Sequence, residues 1–329
     1  MYMIIYLIIY LIILFILLIF IWFNKIEGFN IRKKAFDPFF DQNNIIHDKP
    51  NMTFTYKNKT ICYKNLNKTY INEKSIVKKI LLENGIPTST YYMWKPEISD
   101  EDNLNNMIMM TRPLVIKPDR GECGIGVTTD IVHDKDIIHN VNKILPITPN
   151  IMIEEQVQGC KEYRITVLNG EIIGATEKTT ATITGDGIHS IEDQIELYNS
   201  KKLHELHKIH TVDYNIIKQQ GYDKEDVLPI GVKLKVTNVA NMNNGSTIEN
   251  VEINTIDPMN MLMFTRINEL LNYTISGIDY LGDLSVPYTI LGSVIEVNPN
   301  PSINIHYDVV DDKNKFLKTI VNNLYRNQS

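Results

Sequence analysis

The sequence predicts an α+β fold, and three features predict it. Short β-branched runs such as Leu114-Val115-Ile116 and Ile151-Met152-Ile153 read as strands. Asn169-Gly170, set between the alternating segments 163–168 and 171–174, reads as a tight hairpin turn. Stretches of helical period begin near Asn72 and Pro258. Strands therefore follow one another through hairpins rather than alternating strictly with helices, which excludes a simple doubly wound parallel sheet.

The 329 residues are 43% hydrophobic and 22% charged, which fits a globular body of one or two domains and excludes a disordered, collagen-like or disulfide-scaffold chain. A net charge of -6 supplies no basic field, so nucleic acid is not an expected partner. Cys62, Cys123 and Cys160 lie far apart without a CxxC pair, which argues for a reducing compartment and against a thiolate zinc site.

Residues 2–23 contain no charged, amide or aliphatic hydroxyl residue. As a helix this run measures about 33 Å, enough to cross a hydrocarbon core of about 30 Å. A signal peptide would have a shorter apolar core, a basic lead and a small-residue cleavage site, so the run is read as a retained anchor. Lys25, Arg32, Lys33 and Lys34 flank its carboxyl side, which places the following body in the cytoplasm by the positive-inside rule. The six N-x-S/T sequons, at Asn51, Asn58, Asn67, Asn244, Asn272 and Asn327, are then chance matches in an Asn-rich chain.

The expected organisation is an anchor over 1–24, a stalk or reduced amino-terminal lobe over 25–69, and one large domain over 70–320. The segment after the anchor is polar, aromatic and rich in turn formers, and is expected to be irregular. From Asn72 a helix is expected with Ile76, Ile80 and Leu81 on one face, stopped by Gly85 and Pro87. Further helices are expected over 191–210 and 258–275, and strands over 278–280 and 294–297.

Two constellations carry chemistry. Lys117 stands at a strand end before a turn with Gly121, Gly124 and Gly126, whose backbone N–H groups could close around an anion. The turn matches neither a P-loop nor a dinucleotide fingerprint, and alone such a lysine is more often structural than functional. The second constellation is Asp279 on one strand with Glu296 and Asn298 on the next. Residues two apart on a strand share a face, and hard oxygen ligands of this kind suit Mg²⁺; in isolation they would be ordinary solvated strand positions.

The order of these segments resembles the ATP-grasp superfamily, and within it the module shared by cyanophycin synthetase and bifunctional glutathione synthetase. Further stretches carry the likeness: Glu73-Lys74 through Leu81 to Gly85-Ile86-Pro87; Ile153-Glu154-Glu155 through Gly159 to Glu162-Tyr163-Arg164; Gly185-Asp186-Gly187 with His189-Ser190-Ile191; Gln220-Gly221-Tyr222 through Gly231; and Asn241 through Gly245-Ser246-Thr247. It spans about residues 70–315. The resemblance implies an ATP-grasp fold, two α+β lobes gripping ATP, behind the anchor.

It also implies roles. Lys74 and Lys117 would contact the phosphates of ATP beneath the loop of Gly121, Gly124 and Gly126. Glu154, Glu155 and Val157 would form the strand against adenine, and Glu162 would bind the ribose. Asp279, Glu296 and Asn298 would hold Mg²⁺ (or Mn²⁺), while Arg164, Lys178 and Lys235 would stabilise charge on the transferred phosphoryl group. The implied reaction is ATP-dependent ligation of a small carboxylate to an amine through an acyl phosphate, on an amino acid or peptide, and the family leaves room for a homodimer. Two rivals stand beside it: a kinase that stops at phosphate transfer, and an inactive membrane-anchored nucleotide-binding scaffold.

The chain departs from the family pattern at Ser302 (a glycine), Lys235 (an arginine), Cys123 (a histidine) and Ile125 (an arginine), which puts the relatives' substrates in doubt. His204, His207 and His210 wind too loosely along a helix to be favoured as a metal site, and Cys123 has no evident base beside it. His306 sits near a family histidine at the substrate pocket and is balanced between site and scaffold.

Overall fold

The computed structural model describes residues 33–48, 50–63, 66–67, 71–121, 124–201, 208–237, 240 and 244–327, with side chains from residue 37 onward. The apolar run 2–23, together with Cys123, His204 and His207, lies outside the described residues. Among the described residues no helix is long and apolar enough to cross a membrane.

Along the chain the elements are α1 (Lys33–Gln42), β1 (Ile46–Asp48), β2 (Thr53–Tyr56), β3 (Lys59–Cys62), α2 (Lys74–Glu83), β4 (Tyr91–Met93), α3 (Asp100–Asn106), β5 (Leu114–Pro118), β6 (Thr128–Ile131), α4 (Asp134–Ile144) and β7 (Ile151–Glu155). There follow β8 (Lys161–Leu168), β9 (Glu171–Thr179), β10 (Thr182–Thr184), α5 (Ile191–Ser200), α6 (Tyr214–Gln219), β11 (Lys233–Lys235) and β12 (Thr247–Asn250). The chain closes with α7 (Pro258–Leu271), β13 (Ile275–Gly282), β14 (Gly292–Asn298), α8 (Asn304–Tyr307) and α9 (Lys313–Asn327).

Helix and strand mix through antiparallel pairs, as the sequence predicts. The five-stranded central sheet runs β12-β9-β8-β13-β14, and a four-stranded sheet runs β4-β7-β5-β6. The β8–β9 hairpin turns on Asn169 (φ 49) and Gly170 (φ 74), the left-handed pair that a two-residue turn requires. Helix α7 starts where Asp257 accepts the Met259 N–H and Pro258 fills the first turn, and ends at Asn272 in the left-handed region. It is shorter than the expected 258–275, because that cap frees the chain to enter β13, which begins earlier than expected. Helix α5 ends at Ser200, and residues 208–213 are not helical, so the expected helix over 191–210 is also shorter.

The period of two decides what the central sheet offers to each side. Tyr163, Ile165 and Val167 of β8, with Ile278 and Tyr280 of β13, pack against Met263, Phe264, Ile267 and Leu271 of α7. Their neighbours Glu162, Arg164 and Thr166, with Asp279, point to the opposite face. On α2, Leu81 is buried and Ile80 packs against the same core as expected, but Ile76 is 44% exposed and Val77 and Lys78 are buried instead.

Residues 33–62, expected to be irregular, instead form α1 and the antiparallel meander β1-β2-β3. Phe39, Phe40, Phe54 and Ile61 join Phe316, Leu317, Ile320 and Leu324 of α9 in a shared core, so these residues pack as a folded layer. A smaller core lies under the two-stranded sheet β10–β11, with Ile183, Ile191, Ile217, Leu228 and Leu234.

Candidate functional site

Strand pairing brings the predicted oxygen donors together. Asp279 lies opposite Glu296, and Gly277 opposite Asn298, in the antiparallel β13–β14 pair. On the other flank of β13, Asp279 lies opposite Arg164, which itself lies opposite Thr176 of β9; Glu162 lies opposite Lys178. One face of three adjacent pairs thus carries alternating charges drawn from four strands.

These charges are mutually engaged. Arg164 donates from Nε and Nη2 to the two oxygens of Asp279, both at 2.8 Å. Lys178 Nζ lies 3.3 Å from Asp279 Oδ1 and also pairs with Glu162. Asn298 Nδ2 lies 3.3 Å from Asp279 Oδ2, and Lys74 Nζ lies 3.4 Å from Glu296 Oε1. Burial alone would raise the Asp279 pKa, but Arg164 and Lys178 outweigh it and hold the carboxyl below the usual range. Glu162 is shifted the other way, because its burial outweighs its bond to Lys178.

Space for the Arg164 side chain comes from the absence of one carbon. A Cβ at Gly277 would come 2.6 Å from Pro301 Cβ and 3.2 Å from Arg164 Cδ. Gly174 makes similar room for His306, whose Cγ would lie 2.5 Å from an added Cβ. His306 is fully buried, with Nε2 2.7 Å from Thr166 Oγ1, and burial helped by the positive charge of Arg164 presses its pKa down to about 3. It is therefore a neutral ring at physiological pH.

A second cluster joins the four-stranded sheet to α2. Glu154 of β7, 4% exposed, takes Lys117 Nζ of β5 at 2.5 Å and Lys78 Nζ at 3.0 Å. Lys78 also donates to Thr88 Oγ1 (2.7 Å) and Ser89 Oγ (2.8 Å), and Ser89 donates to Glu154 (3.0 Å). Burial would raise the Glu154 pKa, but Lys117 and Lys78 together bring it down to about 2; burial brings Lys78 down to about 8. Thr88 Oγ1 donates to Val294 O of β14 (2.6 Å), which ties this cluster to the central sheet.

The glycine turn follows directly. Gly124 and Gly126 hold φ of 72 and 74, and a Cβ on Gly126 would lie 3.0 Å from Pro118 Cγ, so the turn folds back on the end of β5. Lys74 Nζ donates to Gly121 O at 2.6 Å, which brings the predicted lysine to the turn. Glu155 accepts the Thr111 N–H (2.7 Å), and Val157 follows half-buried. Lys235 has none of these bonds: it stands exposed on β11, with its main chain bonded to Gln220.

Sequence reasoning missed Lys78 and Asp119. A lysine flanked by apolar helix positions reads as a solvated edge, and only the neighbouring sheet supplies the Glu154 that makes it a buried one. The donor set Asp279, Glu296 and Asn298 fits Mg²⁺ by chemistry, with two carboxylates and an amide carbonyl on one side of paired strands. Among the described residues no three His, Cys, Asp or Glu side chains gather as a metal cluster, so Asn298, water or a substrate oxygen would have to complete the shell.

Comparison with known proteins bears on the fold. Residues 71–186 match the RimK-like ATP-grasp domain. The chain is 27% identical over 255 residues to the glutathione biosynthesis bifunctional protein of Streptococcus agalactiae, covering 71% of this chain and 32% of that one. It is 27% identical over 252 residues to the cyanophycin synthetase of Geminocystis herdmanii, covering 71% and 28%. The chain thus spans about a third of the length of these curated relatives. Among solved structures it superposes on the bifunctional glutathione synthetase of Pasteurella multocida with a TM-score of 0.57 at 18% identity, over 89% of this chain and 44% of that one. It also superposes on a D-alanine–D-alanine ligase of Bacillus anthracis, with a TM-score of 0.50 at 16% identity, over 80% and 70%. At these identities the structures speak for the fold.

Proposed function

From the match of residues 71–186 to the RimK-like ATP-grasp domain, we propose an ATP- and Mg²⁺-dependent carboxylate–amine ligase that forms an amide on an amino acid or peptide. The observation that carries the reading is the charged face of the central sheet: Arg164, Lys178, Asp279, Glu296 and Asn298 on adjacent strands, with Lys74 reaching Glu296 from α2.

Phosphoryl transfer asks little covalent chemistry of a protein; it asks for positioning and for neutralised charge. Lys74 and Lys117 would hold the phosphates beneath the turn of Gly121, Gly124 and Gly126. The strand of Glu154 and Glu155, continuing to Val157, would lie along adenine, and Glu162 would turn from Lys178 to the ribose hydroxyls. Asp279, Glu296 and Asn298 would hold Mg²⁺, which supplies further neutralisation of the phosphate oxygens when bound. Arg164 and Lys178 would then leave Asp279 for the phosphoryl group in flight to the substrate carboxylate. An amine would displace phosphate from the acyl phosphate, which needs shielding from water while it lasts. Lys235, exposed on β11, would add a further cation for the phosphoryl group.

Residues 2–23 would anchor this body at a membrane with the catalytic domain in the cytoplasm, a reading supported by the apolar run and its basic flank.

The test is release of ADP and phosphate from Mg-ATP by the full-length chain against pooled amino acids and dipeptides, with Glu296→Gln as control. Substrate-dependent release that the control abolishes supports a ligase. A stable phosphomonoester product would instead make it a kinase, and tight ATP binding without turnover on any pool would make it a scaffold.

A further inference from the structure

The first turn of α2 takes its cap from a different sheet. Glu73, the residue before the helix, makes no capping bond with its side chain. Asp119, just past the end of β5, supplies one instead: Oδ1 accepts the Ser75 N–H at 2.7 Å and Oδ2 accepts Ser75 Oγ at 2.9 Å. Its carbonyl accepts the Lys74 N–H at 3.1 Å, and its own N–H donates to Asn150 O at 2.9 Å. Asp119 is 4% exposed, so these bonds form away from water, and an anion there complements the positive end of the helix. Arg120 pairs with Glu73 beside it, and Tyr91 Oη donates to Ser75 O at 3.0 Å.

The consequence concerns two lysines. Asp119 lies two residues from Lys117 on a backbone stiffened by Pro118, and its side chain grips the turn that begins with Lys74. We infer that Asp119 is a positioning residue that holds Lys74 at a fixed placement relative to Lys117, so that both lysines meet one polyphosphate without first having to be ordered. This inference rests on the proposed reading that both lysines bind nucleotide phosphates.

The experiment is a double-mutant cycle on binding of a non-hydrolysable ATP analogue with Mg²⁺ to the full-length chain, by calorimetry. Lys74→Ala and Asp119→Ala should each weaken binding by roughly tenfold, and the double variant should be no weaker than Lys74→Ala alone within about twofold. Asp119→Asn, which keeps an acceptor for the Ser75 N–H, should restore most of the affinity, and it serves as the test should the alanine variant not fold. Ser75→Ala, which removes one of the three bonds, should fall between. Multiplicative losses in the double variant, or unchanged binding in Asp119→Ala, would overturn the tether while leaving the phosphate role of Lys74 standing. Unchanged binding in Lys74→Ala would remove that role, and the tether with it.

Discussion

Arg164 and Asp279 stand opposite each other on β8 and β13 and share two parallel N–H···O bonds of 2.8 Å in a largely buried site beside Lys178. A fork-to-carboxylate contact in this setting is strong because little solvent reaches either ion to replace a lost partner. Arg164→Met should therefore cost about 3–5 kcal/mol in urea denaturation, and Arg164→Lys should recover only part, since an ammonium cannot make both bonds. A cost near that of an exposed pair, below about 1 kcal/mol, would contradict the buried pairing.

On the proposed reading, the same pair would govern metal affinity. Both Asp279 oxygens already carry a cation's hydrogen bonds, so a divalent ion must displace them, and a nucleotide offers Arg164 and Lys178 somewhere to go. Free Mn²⁺, followed by electron paramagnetic resonance, should bind weakly to the chain alone and at least about tenfold more tightly with a nucleotide present, a coupling of about 1.4 kcal/mol. Arg164→Met should narrow that gap. Equal Mn²⁺ affinity with and without nucleotide would argue against the exchange.

Lys78 looks replaceable by an apolar residue on helix α2, yet it bridges Glu154, Thr88 and Ser89. Lys78→Met should destabilise the fold by about 3 kcal/mol, because it leaves Glu154 one cation short inside the protein. Glu154→Gln should soften that loss, giving a coupling of about 1 kcal/mol or more in a thermal-melt cycle. Simple additivity of the two substitutions would show that the network does not act as one.

His306 ties stability to acid. Its pKa is near 3 folded against 6.5 as an ordinary side chain, so the unfolded chain binds a proton between these values that the native chain does not. The sign follows: the neutral ring's contribution is full above pH 6.5 and is lost as pH falls toward 3. Across that window it should add a slope of up to about 1.4 kcal/mol per pH unit. His306→Gln should flatten the urea-stability profile between pH 6 and pH 4 by about that slope. An unchanged profile would mean that the ring is already charged in the native protein.

Local order in the sequence determined a good deal of this protein. The Asn169-Gly170 turn, the strand of Lys117 with its glycines, and the shared face of Glu296 and Asn298 are properties of a few adjacent residues, because turn geometry and the period of two act within a short stretch of chain. The α+β mixture and the ATP-grasp likeness follow from the order of such pieces. Tertiary structure alone decided which charge meets which: Asp279 with Arg164, Glu154 with both Lys117 and Lys78, and Asp119 with the start of α2. Those partners lie tens of residues or more apart in the chain, and no local spacing encodes them. The burial that turns a lysine from a solvated end into a structural cation exists only once two sheets close over it.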